Sequence, residues 1–196
     1  MKPQATPSCV DPLAAWRADH RAFNRLLDLL ESEVAVFHVG EQPNYALMLD
    51  ILTYLHEYLG DSHHPREGVA FARLLSHDPR LRAQVGQRSE EHRIIEEQEQ
   101  RLIRLLNEVI DGDLIPRVEL ERAAASYLLF YRHHLTAEDQ FIVPRAARLL
   151  TADDWNAVAA AAPMAEDPLA AGALDGRYQE LRRALARRET AALDSR

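Results

Sequence analysis

Apolar residues recur every three or four positions along most of the chain. Leu13, Trp16, Phe23, Leu26, Leu27 and Leu30 form one such stripe, the mark of a helix that buries one face. Asp11 followed by Pro12 reads as an N-cap and first helical residue, so the spacing predicts a helix from there to about His38. The Gly40 to Asn44 segment breaks it, and Leu47, Ile51, Tyr54, Leu55 and Tyr58 begin a second stripe that runs to about Ser76. Pro65 inside that helix removes a backbone hydrogen bond and is expected to kink or divide it, with Ser62 available as a local cap. Asp78 and Pro79 make the next turn, and a third helix extends to about Ile110, where Asp111-Gly112-Asp113 stops it. Pro116 starts a fourth helix with Leu120, Tyr127, Leu128, Tyr131 and Leu135 on its stripe, expected to bend or end near Pro144.

Beyond it, Thr151 with Asp154 resembles a capping box before the Ala-rich run from Trp155 to Ala162. A Pro163 to Pro168 break and a last helix through Tyr178 and Leu181 follow. The expected architecture is all-α: an antiparallel up-down four-helix bundle over 11–150, a flexible leader over 1–10, and a short C-terminal helical appendage over 151–196.

Composition supports this class. The 196 residues are 47% hydrophobic, enough for one compact core, and only seven are glycine. A net charge of −8, with no Lys/Arg-rich block, argues against nucleic acid or an anionic membrane surface as the main partner. No stretch reaches the ~18 apolar residues that span a bilayer. Met1 to Val10 lacks the apolar core of a secretory signal, so a cytoplasmic location is expected. The single cysteine, Cys9, lies in the Pro-rich leader and cannot form an internal disulfide.

Histidine changes the picture. Asp19-His20-Arg21 recurs as Glu91-His92-Arg93, and the Tyr58 to Glu67 stretch, with its His63-His64, matches Tyr131 to Glu138 with His133-His134. The offset is 72 residues from His20 to His92 and 71 from Glu67 to Glu138. One nearly common offset implies two helical hairpins about a pseudo-twofold axis, with a site on that axis. His63 with Glu67, and His134 with Glu138, are spaced i, i+4 and so present an imidazole and a carboxylate on one helix face, each pair suited to grip one cation. His20 and His92 complete a ring of one histidine per helix. Burying these groups unpaired would cost several kcal/mol per charge, about what two cations would offset. Nitrogen and oxygen donors without a thiolate suit iron or manganese, with zinc also accepted.

At Asp19-His20, His63-His64-Pro65-Arg66-Glu67, Glu91-His92, and His134 with Glu138-Asp139 and Pro144, the chain resembles the hemerythrin-like, HHE cation-binding family over about residues 11 to 150. The resemblance implies a metal set of His20, His63, Glu67, His92, His134 and Glu138, with both glutamates bridging two irons that also share an oxo or hydroxo group. A register shift of one residue would exchange His133 for His134 or Asp139 for Glu138. Oxygen-carrying hemerythrins have two histidines spaced i, i+4 on the third helix. Here the position four after His92 is Glu96 and the one four before is Arg88. The imidazoles, carboxylates and bridging oxygen then leave about two coordination positions open, for a small ligand or for Glu96.

The other motifs carry less. The ferritin-like Glu-x-x-His order is absent, and His56-Glu57 lacks the second histidine of a zinc protease, because Gly60 stands there. His56 is read first as a core or interface residue, with a role as a ligand or outer donor as the alternative. Tyr58 and Tyr131 are read as core packing that can also reach a bound ligand, and His38 and His77 as helix-end residues. The expected function is a non-haem di-iron protein that binds or senses dioxygen, nitric oxide or peroxide, linked to iron homeostasis or redox stress. Oxidase, peroxide- or nitric-oxide-processing turnover and a helical interaction module with a structural metal are the alternatives. No residue beyond the ligands clearly serves as a substrate-positioning acid or base, so binding is preferred to turnover. Physiological ligand and oligomeric state are left open.

Overall fold

The computed structural model describes residues 11–162, Leu169 and 178–194; the leader with Cys9 and the Pro163 to Pro168 break lie outside them. Helix α1 (Pro12–Val36) starts where expected. The Asp11 carboxylate accepts a hydrogen bond from the Leu13 N–H at 3.0 Å, and Pro12 fills a position whose N–H has no helical partner. A 3-10 turn, Phe37–Val39, ends the rod at Gly40, whose φ of +79° only glycine adopts cheaply. Asn44 then caps α2 (Tyr45–Tyr58) by accepting from the Leu47 N–H at 3.0 Å.

The second rod is divided just before Pro65, as expected, but by a widened turn and without Ser62 as a cap. A π-turn, Leu59–His63, joins α2 to α3 (His64–His77), and the His64 N–H donates to the Leu59 carbonyl five residues back. The wider turn places Pro65 in the first turn of α3, where a missing N–H is tolerated. The Ser62 hydroxyl accepts from the Arg66 guanidinium instead. Pro144 is handled in the same way. The π-turn Glu138–Ile142 links α5 (Arg117–Ala137) to α6 (Val143–Leu149), with the Val143 N–H bonded to the Glu138 carbonyl. The first π-turn ends at His63 and the second opens at Glu138, both singled out above, in line with the tendency of such bulges to mark functional positions.

Helix α4 (Arg82–Ile110) follows a 3-10 turn, Pro79–Leu81, that Asp78 caps. It packs on α2 and α5, and α1 packs on α5 and α2, so the rods neighbour one another in a ring. Phe23, Leu27, Leu30, Leu55, Leu102 and Tyr127 fill one buried cluster inside that ring. A second cluster, built on Trp16, Phe71, Leu74, Val85, Ile142 and Val158, lies toward the other end. His20, His63, Glu67, His134 and Glu138 form a buried polar layer between these apolar groups along the rods. Helix α7 (Ala152–Ala161) begins with a true Thr151–Asp154 capping box and rests on α3, while α8 (Gln179–Asp194) contacts α1 and α2. No helix among the described residues is long and apolar enough to cross a membrane.

Leu102 is fully buried and Leu114 is 99% exposed. Replacing Leu102 by Ala should therefore cost about 2–5 kcal/mol, and Leu114→Ala less than about 0.5 kcal/mol, both read from urea unfolding midpoints.

Candidate metal centre

Four rods deliver the six side chains to one place. His20 comes from α1, His63 from the π-turn after α2, Glu67 from α3, His92 from α4, His134 from α5, and Glu138 from the π-turn after α5. Their donor atoms fall into two groups, each with all its atoms within 4.8 Å of one another. One holds His20, His63 and Glu138; the other holds Glu67, His92, His134 and Glu138. Glu138 belongs to both. Its two oxygens stand 3.3 Å from His20 Nε2 and 3.3 Å from His134 Nε2. Glu67 lies 3.1 Å from His92 Nε2, and that nitrogen is 3.0 Å from His134 Nε2.

The i, i+4 pairing that the spacing suggests holds for His134 with Glu138 but not for His63 with Glu67. Glu67 shares its group with His92 and His134, and His63 joins His20. Glu67 lies one helical turn beyond His63, about 6 Å along the rod, where it meets α4 rather than α1.

The layer is dry. Glu138 is fully buried, His20 is 1% and Glu67 2% exposed, and all four carboxylate oxygens of Glu67 and Glu138 lack a hydrogen-bond partner. Imidazole nitrogens face these oxygens at 3.1–3.3 Å. Lone pairs converging without donors call for a cation. In the protein alone, burial and the facing Glu67 push the Glu138 carboxyl well up. Burial also acts to raise Glu67, but the imidazoles of His92 and His63 outweigh it and hold Glu67 well down. One proton on Glu138 relieves the like-charge repulsion.

The outward ring nitrogens are tied to carboxylates. His63 Nδ1 donates to Asp19 Oδ2 at 3.0 Å, the same oxygen that accepts from Arg66 at 2.9 Å. His134 Nδ1 donates to Glu91 Oε2 at 3.1 Å, and Arg88 holds the other oxygen at 2.6 Å. Both bonds fix the tautomer with the Nε2 lone pair turned inward, and burial lowers the pKa of both imidazoles, keeping them neutral donors. Asp19 and Glu91 are the acids that precede the histidines of the internal repeat. Each serves the histidine of a neighbouring rod, a role the repeat itself did not reveal. Asp139 takes this part for His20, accepting from Nδ1 at 2.8 Å. Two influences compete at His20. The Trp16 indole N–H, 3.0 Å from Nε2, needs that nitrogen unprotonated, and burial lowers the pKa; Asp139 and Glu138 override burial and raise it to about 9. A cation beside Nε2 must displace that proton.

The register alternatives separate cleanly. The side chain of His133 is 62% exposed and that of Asp139 45%, and neither joins a donor group. His64 stacks on His92 with ring centroids 4.3 Å apart, and burial together with His92 lowers its pKa to about 3. Glu96 is exposed and accepts from Gln100, outside both groups. His56 pairs with Glu99 at 2.8 Å, and His77 with Asp154 at 2.7 Å, the latter pinning α3 to α7. Tyr58 donates to Asp19 at 3.3 Å. The His38 side chain lies outside the described residues.

Beside His92 and His134 opens a cavity of about 270 Å³, walled by His56, His64, Glu96, Glu99 and Tyr131 among others. It is the approach from solvent to the second donor group.

The family model of the Hemerythrin HHE cation binding domain matches residues 11–146. No curated protein and no solved structure matches the chain.

Two outcomes follow from this geometry. A raised pKa at His20 stabilises the metal-free fold fully below pH 6.5, and that contribution is lost as pH rises through about 9. Chelated protein should thus lose urea resistance across that interval, and His20→Gln should flatten the decline. Asp19→Asn and Glu91→Gln should each weaken metal affinity by about 10–100-fold, measured by competition with a chelator, while the number of ions held at saturation stays the same.

Proposed function

The chain belongs to the hemerythrin HHE cation-binding family, and from that premise we propose that it holds two irons and binds or senses dioxygen or a related small molecule. The observation that carries this reading is the convergence of four imidazoles on two buried carboxylates whose four oxygens have no hydrogen-bond partner. On this account His20 and His63 hold one ion and His92 and His134 the other. Glu138, which belongs to both donor groups, would serve both ions, and the family resemblance implies the same of Glu67. Donors that are all nitrogen or oxygen fit iron, and they accept manganese or zinc as well.

A bound iron pair supplies open coordination positions and redox equivalents; the protein does the rest. Asp19, Glu91 and Asp139 hold the imidazoles in register. Trp16 and Phe23 pack against His20 and keep bulk water from that side. The cavity on the His92 and His134 side admits a ligand, and at about 270 Å³ it has ample room for a diatomic or a peroxide. We read the ring of rods as an antiparallel four-helix bundle over 11–150, and α7 and α8 as an appendage. Both lie against the rods through Trp155 and Val158 on one side and Tyr178 and Leu181 on the other. A cytoplasmic setting in iron homeostasis or redox stress completes the reading.

Anaerobic iron loading followed by metal analysis is the test. Wild-type protein should hold two irons per chain, Glu138→Ala one or none, and His133→Ala two. Equal content in all three would contradict the assignment, and so would about one zinc with no iron uptake.

A further inference from the structure

One buried acid finds no use among the proposed ligands. Glu99 lies on α4 and is 3% exposed. Its Oε2 is 2.8 Å from Nδ1 of His56 on α2, and its Oε1 accepts from the Tyr127 hydroxyl of α5 at 3.2 Å. His56 lies seven residues before His63, Glu99 seven after His92, and Tyr127 seven before His134. Two helical turns, about 10 Å, therefore separate this polar layer from the metal layer along each rod.

An apolar residue would fill a core position at lower cost than a carboxyl group. Glu99 is instead joined to solvent on one side and to the metal centre on the other. The His56 side chain is 53% exposed, so its ring exchanges protons with water. Glu99 and His56 also line the cavity that reaches His92 and His134. Tyr131 stands between the layers, three residues before His134. It lines the same cavity, and its buried hydroxyl has no hydrogen-bond partner. The groups facing the cavity are His56 from α2, His64 from α3, His92, Glu96 and Glu99 from α4, and Tyr131 and His134 from α5; Tyr127 stands behind Glu99.

The geometry points to a proton relay in which His56 and Glu99 carry protons between solvent and the metal-facing cavity, with the Tyr131 hydroxyl as the terminal donor. This rests on the proposed di-iron reading and specifies its ligand class: an oxygen ligand that takes up protons as it is reduced, rather than one bound and released unchanged. In one cycle His56 gives its Nδ1 proton to Glu99 Oε2 and takes one from water at Nε2, and the half-exposed ring then restores its Nδ1–H tautomer by exchanging protons with solvent. Glu99 passes a proton through cavity water to the Tyr131 oxygen as the Tyr131 proton moves to the ligand, so every carrier returns to its starting state. Protonation of Glu99 is within reach. Burial, the largest influence, raises its pKa, and the hydrogen bonds from His56 and Tyr127 counter it only in part. Tyr131 stays a neutral phenol, because burial and the carboxylates of Glu99, Glu67, Glu138 and Asp19 all raise its pKa.

Hydrogen peroxide is the probe. Its reduction by a ferrous pair breaks the O–O bond, takes one electron from each iron and consumes two protons to give two waters. Glu99→Gln and His56→Gln should each slow oxidation of the anaerobic iron-loaded protein by about tenfold or more near neutral pH, with two irons retained. Glu99→Asp should keep most of the rate, and imidazole buffer should restore His56→Gln. A second readout needs no metal. In chelated protein with isotope-labelled glutamate, the Glu99 carboxyl carbon should titrate above the surface carboxylates by NMR, and higher still in His56→Gln.

Unchanged oxidation rates in both variants with full iron content overturn the relay and leave the di-iron reading standing. Loss of iron in Glu99→Gln also overturns it, by making Glu99 a structural or ligating group. A wild type that takes up no iron pair contradicts the di-iron reading, and the relay falls with it. Titration of Glu99 among the surface carboxylates overturns the relay whatever the metal content.

Discussion

Two carboxylates buried side by side set the terms for everything around them. Glu67 and Glu138 have donor oxygens in one group spanning no more than 4.8 Å, and none of their oxygens is hydrogen-bonded. At such a separation two unit charges repel by about 3–4 kcal/mol at an effective dielectric near 20, before the cost of removing each from water. Without a cation, Glu138 keeps a proton and the layer is a weak point in the core. With cations it becomes a crosslink joining four rods, and binding energy adds to folding energy. The two apolar clusters on either side keep the layer dry, and the outer carboxylates Asp19, Glu91 and Asp139 hold the imidazoles in the one orientation that serves a metal.

Much of this was legible in the sequence. The 3.6-residue periodicity, Asp11-Pro12, Gly40, Asp78-Pro79 and Gly112 placed the long rods within a few residues, because caps and left-handed turns have specific chemical requirements. The internal repeat, together with the family resemblance, pointed to six residues that the fold brings together. Other features were hidden for physical reasons. A π-turn has no composition of its own, so the interruptions at Pro65 and Pro144 were legible but the widened turn that makes each of them was not. The partition of Glu67 toward His92 depends on which rods neighbour one another, and helical spacing carries no such information. The acids at 19 and 91 were visible beside the histidines, but they reach across to His63 and His134, and only packing shows that.

The same packing explains why the centre is approached from one side. Trp16, Phe23 and Asp139 close the His20 side, whereas His64 leans on His92 at the wall of an opening. The absent fifth histidine of oxygen-carrying relatives would have stood on α4. The two positions one turn from His92 hold Arg88, bonded to Glu91, and Glu96, exposed and bonded to Gln100. The cavity beside His92 has acids, imidazoles and a phenol on its walls, a setting for ligands that exchange protons.

The central claim is that two irons share a bridging carboxylate, and Mössbauer spectroscopy of the air-oxidised, isotope-enriched protein tests it most directly. The account predicts a spin-coupled ferric pair with a diamagnetic ground state, seen as quadrupole doublets that gain no internal magnetic splitting in an applied field at low temperature. Isolated paramagnetic ferric ions at full iron loading would contradict it.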